Sequence, residues 1–335
     1  MKKIIAVCLA LFLLVSMYLT ATTAEEKKLS VVTTIFPVYD WVREIIGDNH
    51  SVELTLLLDN GVDLHSYQPT AADMIKIATC DVFIYVGGES DEWVEDALRE
   101  AVNKDMIVVD LVEAMGEDIK TEEIVEGMEH EHNEDHDEEE DHDHGENEDH
   151  DDHEHEEEAD EHVWLSLRNA QKLVTGIAEA MCQADEAHGE SYRANAAAYV
   201  GKLTALDQEY ERNVENAAFK TILFGDRFPF RYMADDYGLT YYAAFAGCSA
   251  ETEASFQTII FLAEKVDELG LPAVLTIEGA NHKIAETVIG STSAKNQKLL
   301  TMNSMQGTTS LDIQAGTTYL SIMESNLEVL KQAIN

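Results

Sequence analysis

The sequence predicts an α/β fold of two lobes, each with a parallel four-stranded sheet flanked by helices, joined by one long rigid helix. Three observations carry this. Short β-rich runs alternate with amphipathic helical runs through residues 29–112 and again through 220–334. Between these regions lies a long helical pattern without proline, with Gly201 as the only glycine in residues 191–217. The 335 residues suffice for two lobes of ordinary size.

The chain opens with Lys2 and Lys3, an apolar run Ile4–Leu19, and small residues ending at Thr22 and Ala24. This pattern predicts an export signal over 1–24, with an uncleaved membrane anchor as the alternative. Cys8 lies too early in the apolar run for a convincing lipid-attachment site.

In the first lobe (29–170), "LSVVTTIFPVYDWVREII" reads as a strand and then a helix, and "SVELTLLLD" as a second strand. "TAADMIKIATC" is a helix with Thr70 as N-cap, and "DVFIYVGG" a buried strand closed by glycines. A helix around "DEWVEDALREAV" and a strand "MIVVDLV" complete the lobe. From about 122 to 161 the alternation stops. Residues Glu126–Glu161 hold 22 acidic side chains and no Lys or Arg, half of the net charge of −44. With almost no apolar side chain to offset ordering entropy, this tract is expected to be a disordered surface loop.

From Asn169 to about Glu215 the pattern is helical, forming a connecting segment over 171–217. Tyr192, Ala196, Tyr199, Leu203, Leu206 and Tyr210 share one stripe. The second lobe (218–335) resumes the alternation with strands "KTILFGD", "LTYYAAFAG", "PAVLTIEG" and "KLLTMN" and intervening helices, and ends on "AGTTYLSIMESNLEVLKQAI".

The acidic balance outside the tract excludes nucleic acid and anionic lipid as natural partners and favours divalent cations. Cys80, Cys182 and Cys248 follow the signal. None belongs to a CxxC pair, so they read as small core residues and not as thiolate ligands, with a Cys80–Cys182 bridge left open. His65 lies in a Gly-led loop, "GVDLHSYQPTAADM", between a strand and a helix, where parallel α/β proteins bind ligands. His162 opens "HVWLSLRNA", where apolar sequence resumes after the tract. By position alone each is a candidate metal ligand or a surface residue.

Across the chain beyond the signal, the sequence resembles the zinc/manganese family of ABC-transporter solute-binding proteins. The features that carry the resemblance are "IFPVYDWVREI", "GVDLHSYQPT" beside the family's G-x-D-P-H-x-Y-E-P-T, and "HVWLSLRNA" beside H-x-W-L-D-P-x-N-A. They also include the His/Asp/Glu-rich loop, the "YGL" at Tyr237–Leu239 and the closing "YLSIMESNLEVL". The resemblance implies a metal cleft between the lobes with His65 and His162 as ligands, and Zn²⁺ as cargo with Mn²⁺ as the alternative. The expected partner is a membrane ABC permease, the expected state a monomer, and the expected location periplasmic or extracellular.

The second lobe departs from the family pattern. Arg227 occupies the position where a His or Glu ligand precedes the "YGL" helix, and a guanidinium cannot ligate a metal. Asp226 is then the available carboxylate, Glu278 is a second at a strand end, and Asn303 stands near the family's fourth ligand, with His282 nearby. The bland alternatives are pairing of Asp226 with Arg227 or Arg231, Glu278 as a cap for the helix near Asn281, and His282 as an exposed helix-start residue.

In the tract, His130, His132, His136, His142, His144, His150, His153 and His155 alternate with carboxylates. They are expected to form weak, multi-site metal collectors, or else a solvated polyanion. Two other functional classes remain open. One is a metal sink or surface-attachment protein using the same cleft. The other is a zinc hydrolase, for which the sequence offers no HExxH or comparable spacing.

Overall fold

The computed structural model describes residues 28–128, 158–249, 253–279 and 281–335. The predicted signal and all eight tract histidines lie outside the described residues. Among those described, no helix is long and apolar enough to cross a membrane.

Two parallel four-stranded sheets form the frame. The first has strands β1 (Leu29–Thr33), β2 (Val52–Leu56), β3 (Val82–Tyr85) and β4 (Ile107–Asp110), in the order β2-β1-β3-β4. The second has β5 (Thr221–Phe228), β6 (Thr240–Ala246), β7 (Ala273–Ile277) and β8 (Lys298–Met302), in the order β6-β5-β7-β8. The permutation is the same in both, so each sheet directs its strand-end loops toward one edge, where doubly wound proteins bind ligands.

The helices of the first half are α1 (Phe36–Ile46), α2 (Ala71–Thr79), α3 (Trp93–Arg99) and α4 (Leu111–Met115). Thr70 caps α2 as its sequence predicts, in a reciprocal box with Asp73. The helical stretch after the tract is two helices, α5 (Leu167–Ala184) and α6 (Gly189–Glu215). They part at Asp185, whose carboxylate accepts hydrogen bonds from His188 and Tyr192 and so stabilises the turn. Helix α6 has 27 residues, about 40 Å at 1.5 Å each, and its predicted stripe from Tyr192 to Tyr210 is buried. The second half adds α7 (Arg231–Tyr237), α8 (Phe256–Leu269), α9 (Lys283–Ser291), α10 (Ser310–Gln314) and α11 (Tyr319–Ala333).

One core runs through both halves. It joins Val31 and Phe83 of the first sheet, Trp41 of α1, the α6 stripe, Phe224 and Leu275 of the second sheet, and Leu327 and Leu330 of α11. A second cluster packs the other face of the second sheet, with Leu223 and Val274 against Leu262 and Val266 of α8 and Val288 of α9. Adjacent strand residues such as Leu223 and Phe224 serve opposite faces, which is the two-residue period of a doubly covered strand.

The pattern breaks once. β5 pairs Phe224 with Ala243 but Arg227 with Phe245, so β5 carries one extra residue at Gly225–Asp226. Gly225 permits it, because a Cβ there would lie 2.4 Å from the Ala285 backbone of α9. A bulge of this kind re-aims the side chains that follow it.

The bridge between Cys80 and Cys182 does not form. Both thiols are free and each donates to a nearby carbonyl, Cys80 to Ile77 and Cys182 to Gly189.

Asp40 of α1 is fully buried, accepts the Tyr319 N–H at 2.8 Å and pairs with Arg43. Burial outweighs the pull of Arg43 and pushes its carboxyl up from 3.8 to about 6. The folded state therefore holds a proton that the unfolded chain has released in this window, and stability falls as pH rises through it. Urea unfolding across this window should show the parent losing stability relative to Asp40→Asn, with a slope difference of up to about 1.4 kcal/mol per pH unit.

Candidate metal centre

His65 lies on a single helical turn, Leu64–Ser66, after β2, and the Asp63 carboxylate accepts its backbone N–H at 3.1 Å. His162 precedes another single turn, Val163–Leu165, and is fully buried. Its position is set by the clasp that closes the base of the acidic tract. Thr121 bridges Ala159 antiparallel, Glu122 N–H donates to the Glu158 carbonyl, and Asp160 N–H donates to the Lys120 carbonyl. Tyr232 of α7 then donates its hydroxyl to the Asp160 carbonyl at 2.9 Å.

These two turns bring His65 Nε2 and His162 Nε2 to 3.3 Å. The other ring nitrogens determine what this separation means. His162 Nδ1 is 2.9 Å from Asp160 Oδ1, and a carboxylate only accepts, so the proton belongs on Nδ1 and Nε2 carries a lone pair. The Gln306 amide nitrogen, 3.4 Å from that Nε2, approaches as a donor, consistent with this tautomer. His65 Nδ1 is bordered by Ser90 Oγ at 2.7 Å and Glu161 Oε2 at 3.7 Å. With its proton directed at these oxygens, the His65 lone pair faces that of His162.

Two facing lone pairs repel unless a cation lies between them. Two nitrogens each about 2.0–2.1 Å from a tetrahedral zinc stand roughly 3.3 Å apart, so the observed spacing fits a shared ion. Burial lowers His65 to about 4, reinforced by His162, which keeps its imidazole neutral and free to ligate near neutral pH. Oxygens behind both rings orient them, the usual outer support of a histidine metal site. Burial also raises the Glu161 carboxyl, and its Oε2 has no hydrogen-bond partner.

The other sequence candidates are directed elsewhere. Asp226 Oδ2 accepts from Thr276 Oγ1 at 2.5 Å and from Ile277 N–H at 3.2 Å, and Oδ1 accepts from Arg227 N–H. Arg227 is no ligand; its guanidinium donates to Asp63 Oδ2 at 2.6 Å and to the Ser249 carbonyl at 3.3 Å. Burial would raise the Asp63 carboxyl, but Arg227 beside it prevails and holds it low. Glu278 ties down the loop after β8 by accepting from Ser304 N–H, Ser304 Oγ and Gly307 N–H, so it is not the cap of α9. Asn303 accepts the Met305 N–H and pairs with Asn326. His282 Nδ1 contacts Thr276 Oγ1 at 3.1 Å.

The residue that joins the two histidines is Cys248. Its sulfur and one nitrogen of each ring all lie within 4.8 Å of one another. Sequence spacing gave no hint of it, because a cysteine outside a CxxC pair has no ligand signature. Its place just past β6, at a parallel strand end, was the signal available.

Known proteins share this chain's sequence pattern and fold. The sequence model described as zinc-uptake complex component A, periplasmic, matches residues 31–333. The zinc-binding lipoprotein AdcA of Streptococcus pneumoniae serotype 4 is 34% identical over 337 residues, covering 99% of this chain and 61% of the relative. The chain thus spans less than two thirds of that relative's length. The high-affinity zinc uptake system protein ZnuA of Bacillus subtilis is 30% identical over 333 residues, covering 99% of this chain and 96% of that protein. Among solved structures, the Zn(II)-bound ZnuA-like domain of Streptococcus pneumoniae AdcA superposes with a TM-score of 0.69. It is 28% identical and covers 92% of this chain and 99% of that one.

Asp160 holds His162 through both its backbone N–H and its ring. Replacing Asp160 by Asn puts an amide donor within reach of a ring nitrogen that must donate. Zinc affinity measured by competition with a chromophoric chelator should fall about 10–100-fold, with thermal stability of the metal-free chain changed far less.

Proposed function

Because the chain belongs to the zinc-uptake complex component A family, we propose that it is an exported solute-binding protein that captures one divalent cation, zinc, and hands it to a membrane ABC permease. The family is one of transport components and not of enzymes. The observation that carries the reading is the approach of His65, partly buried, to the fully buried His162, with their Nε2 atoms 3.3 Å apart. Neutral imidazole suits borderline cations, with zinc above manganese. All the converging donors come from one chain, so a monomer suffices to bind.

Capture requires the ion to reach a site beneath the lobe contact. A cavity of about 350 Å³ lined by Asp63, His65, Asp226, Arg227 and Glu278 gives access to His65. A second, of about 680 Å³, also borders the Asp63–Arg227 pair. Oxygens on these walls attract a hydrated dication, and the paired imidazoles replace its water. The long α6 helix, packed along both halves, opposes wide hinge motion, so release proceeds through small shifts of the strand-end loops. The eight histidines of the tract serve as low-affinity collectors, in a chain segment whose two ends meet at the Thr121–Ala159 bridge.

The test is a zinc and manganese titration of the chain without residues 1–24, alongside a version also lacking 129–157. The shortened protein should keep one tight zinc per chain and lose the weak ones. His65→Ala or His162→Ala should weaken the tight site by more than about 100-fold in both versions. Tight binding that vanished with the tract and survived both histidine substitutions would refute the cleft as the receptor site.

A further inference from the structure

The position at which the family pattern expects a third ligand holds Arg227, and both nearby carboxylates are engaged elsewhere. The proposed cargo site would then have two protein donors, too few for a zinc ion held away from water. The turn after β6 supplies what is missing. Accepting the zinc-capture reading above, we propose that Cys248 is the third metal donor, making a His65–His162–Cys248 set that favours thiophilic cations, Zn²⁺ and Cd²⁺, over Mn²⁺.

Four observations converge on this. The Cys248 sulfur and the two imidazoles lie mutually within 4.8 Å, and coordination draws the sulfur in to about 2.3 Å from the ion. Glycine before it lets the turn come close. A Cβ on Gly247 would stand 3.1 Å from His162 Cε1, 3.2 Å from Nδ1 and 3.0 Å from the Phe228 carbonyl. The turn is also fixed from both sides: Cys248 N–H donates to Glu122 Oε1 at 2.8 Å on the tract clasp, and the Ser249 carbonyl accepts from Arg227. Arg227 simultaneously holds Asp63, which caps the His65 turn. The arginine that displaced a ligand is thus a strut between the turns bearing His65 and Cys248. Finally, Gln306 is only 8% exposed, its amide reaches His162 Nε2 at 3.4 Å, and its Oε1 has no partner. A buried amide oxygen without a partner beside two imidazoles and a thiol is a ready fourth donor, since the amide can turn over to present it.

The chemistry balances simply. The Cys248 thiol gives up its proton to solvent as the sulfur–metal bond forms, so one proton is released per ion from this residue. A soft thiolate in place of a carboxylate shifts preference toward zinc and cadmium and away from manganese, which prefers oxygen donors.

The experiment uses the chain without residues 1–24 and one equivalent of Co²⁺ as a spectroscopic probe. A thiolate-to-cobalt charge-transfer band is expected in the near ultraviolet. Cys248→Ser should abolish that band while keeping cobalt bound through the histidines, and should lower the zinc-over-manganese preference. Cys80→Ser and Cys182→Ser should leave both unchanged. X-ray absorption of the unsubstituted protein with one equivalent of Zn²⁺ needs no variant, and should show one sulfur at about 2.3 Å with nitrogen neighbours at about 2.0–2.1 Å. A zinc environment without sulfur, or a charge-transfer band that survives Cys248→Ser, overturns the proposal. Loss of cobalt in His65→Ala with no sulfur seen in the parent would refute Cys248 and leave the capture reading intact. Retention of tight metal in both His65→Ala and His162→Ala would defeat the capture reading itself.

Discussion

Everything in the interlobe region depends on a repulsion. Two imidazole rings, each holding its proton on Nδ1 toward an oxygen behind the ring, bring their Nε2 atoms to 3.3 Å. With a lone pair on each Nε2 the two rings repel, and the surroundings hold them together. The clasp below His162, the Asp63 cap on the His65 turn and the aromatic hydroxyls of Tyr232 and Tyr319 supply the constraint. The unfavourable pairing is what a cation relieves on arrival, and the unpaired oxygen of Glu161 adds to the attraction.

The second half of the molecule reaches the same place by a different route from the family pattern. A one-residue bulge in β5 turns Asp226 into the sheet, where Thr276 and Ile277 bind it, and sends Arg227 across the interface to Asp63. Glu278, which reads as a free carboxylate at a strand end, has three donors gathered on it from the loop after β8. Each carboxylate is thereby part of the frame. A buried acid without donors would carry a large desolvation penalty, and here the donors arrive from elements far apart in the chain.

That distance in sequence explains what could and could not be read beforehand. The strand–helix alternation, the Thr70 cap and the stripe on α6 are local patterns with fixed periods, and they appear where the sequence puts them. His65 and His162 were recognisable because each lies in a short motif whose own residues shape the turn. The partners that hold Asp226 Oδ2 and the Glu278 carboxylate lie from 26 to 51 residues away, and the placement of Asp226 depends on a bulge in β5. Spacing is silent about Cys248, because it is informative only when ligands share one segment. The break at Asp185 was missed for a related reason: helical periodicity continues through it, and the turn is held by side-chain contacts to His188 and Tyr192.

Chain order assigns His162 to the first half of the protein, since it comes before the long helix. Its hydrogen bonds tie it to the second half as well. Trp164 donates to the Ser304 carbonyl, Tyr319 donates to the Trp164 carbonyl, and Tyr232 donates to the Asp160 carbonyl, so three residues beyond α6 grip the segment around His162. His65, by contrast, rests on Ser90 and the cap from Asp63. The clasp to Lys120–Glu122 and the Ser90 N–H on Glu161 tie the same segment to the first half, so both halves hold His162. A displacement of one sheet against the other therefore strains the segment that carries His162.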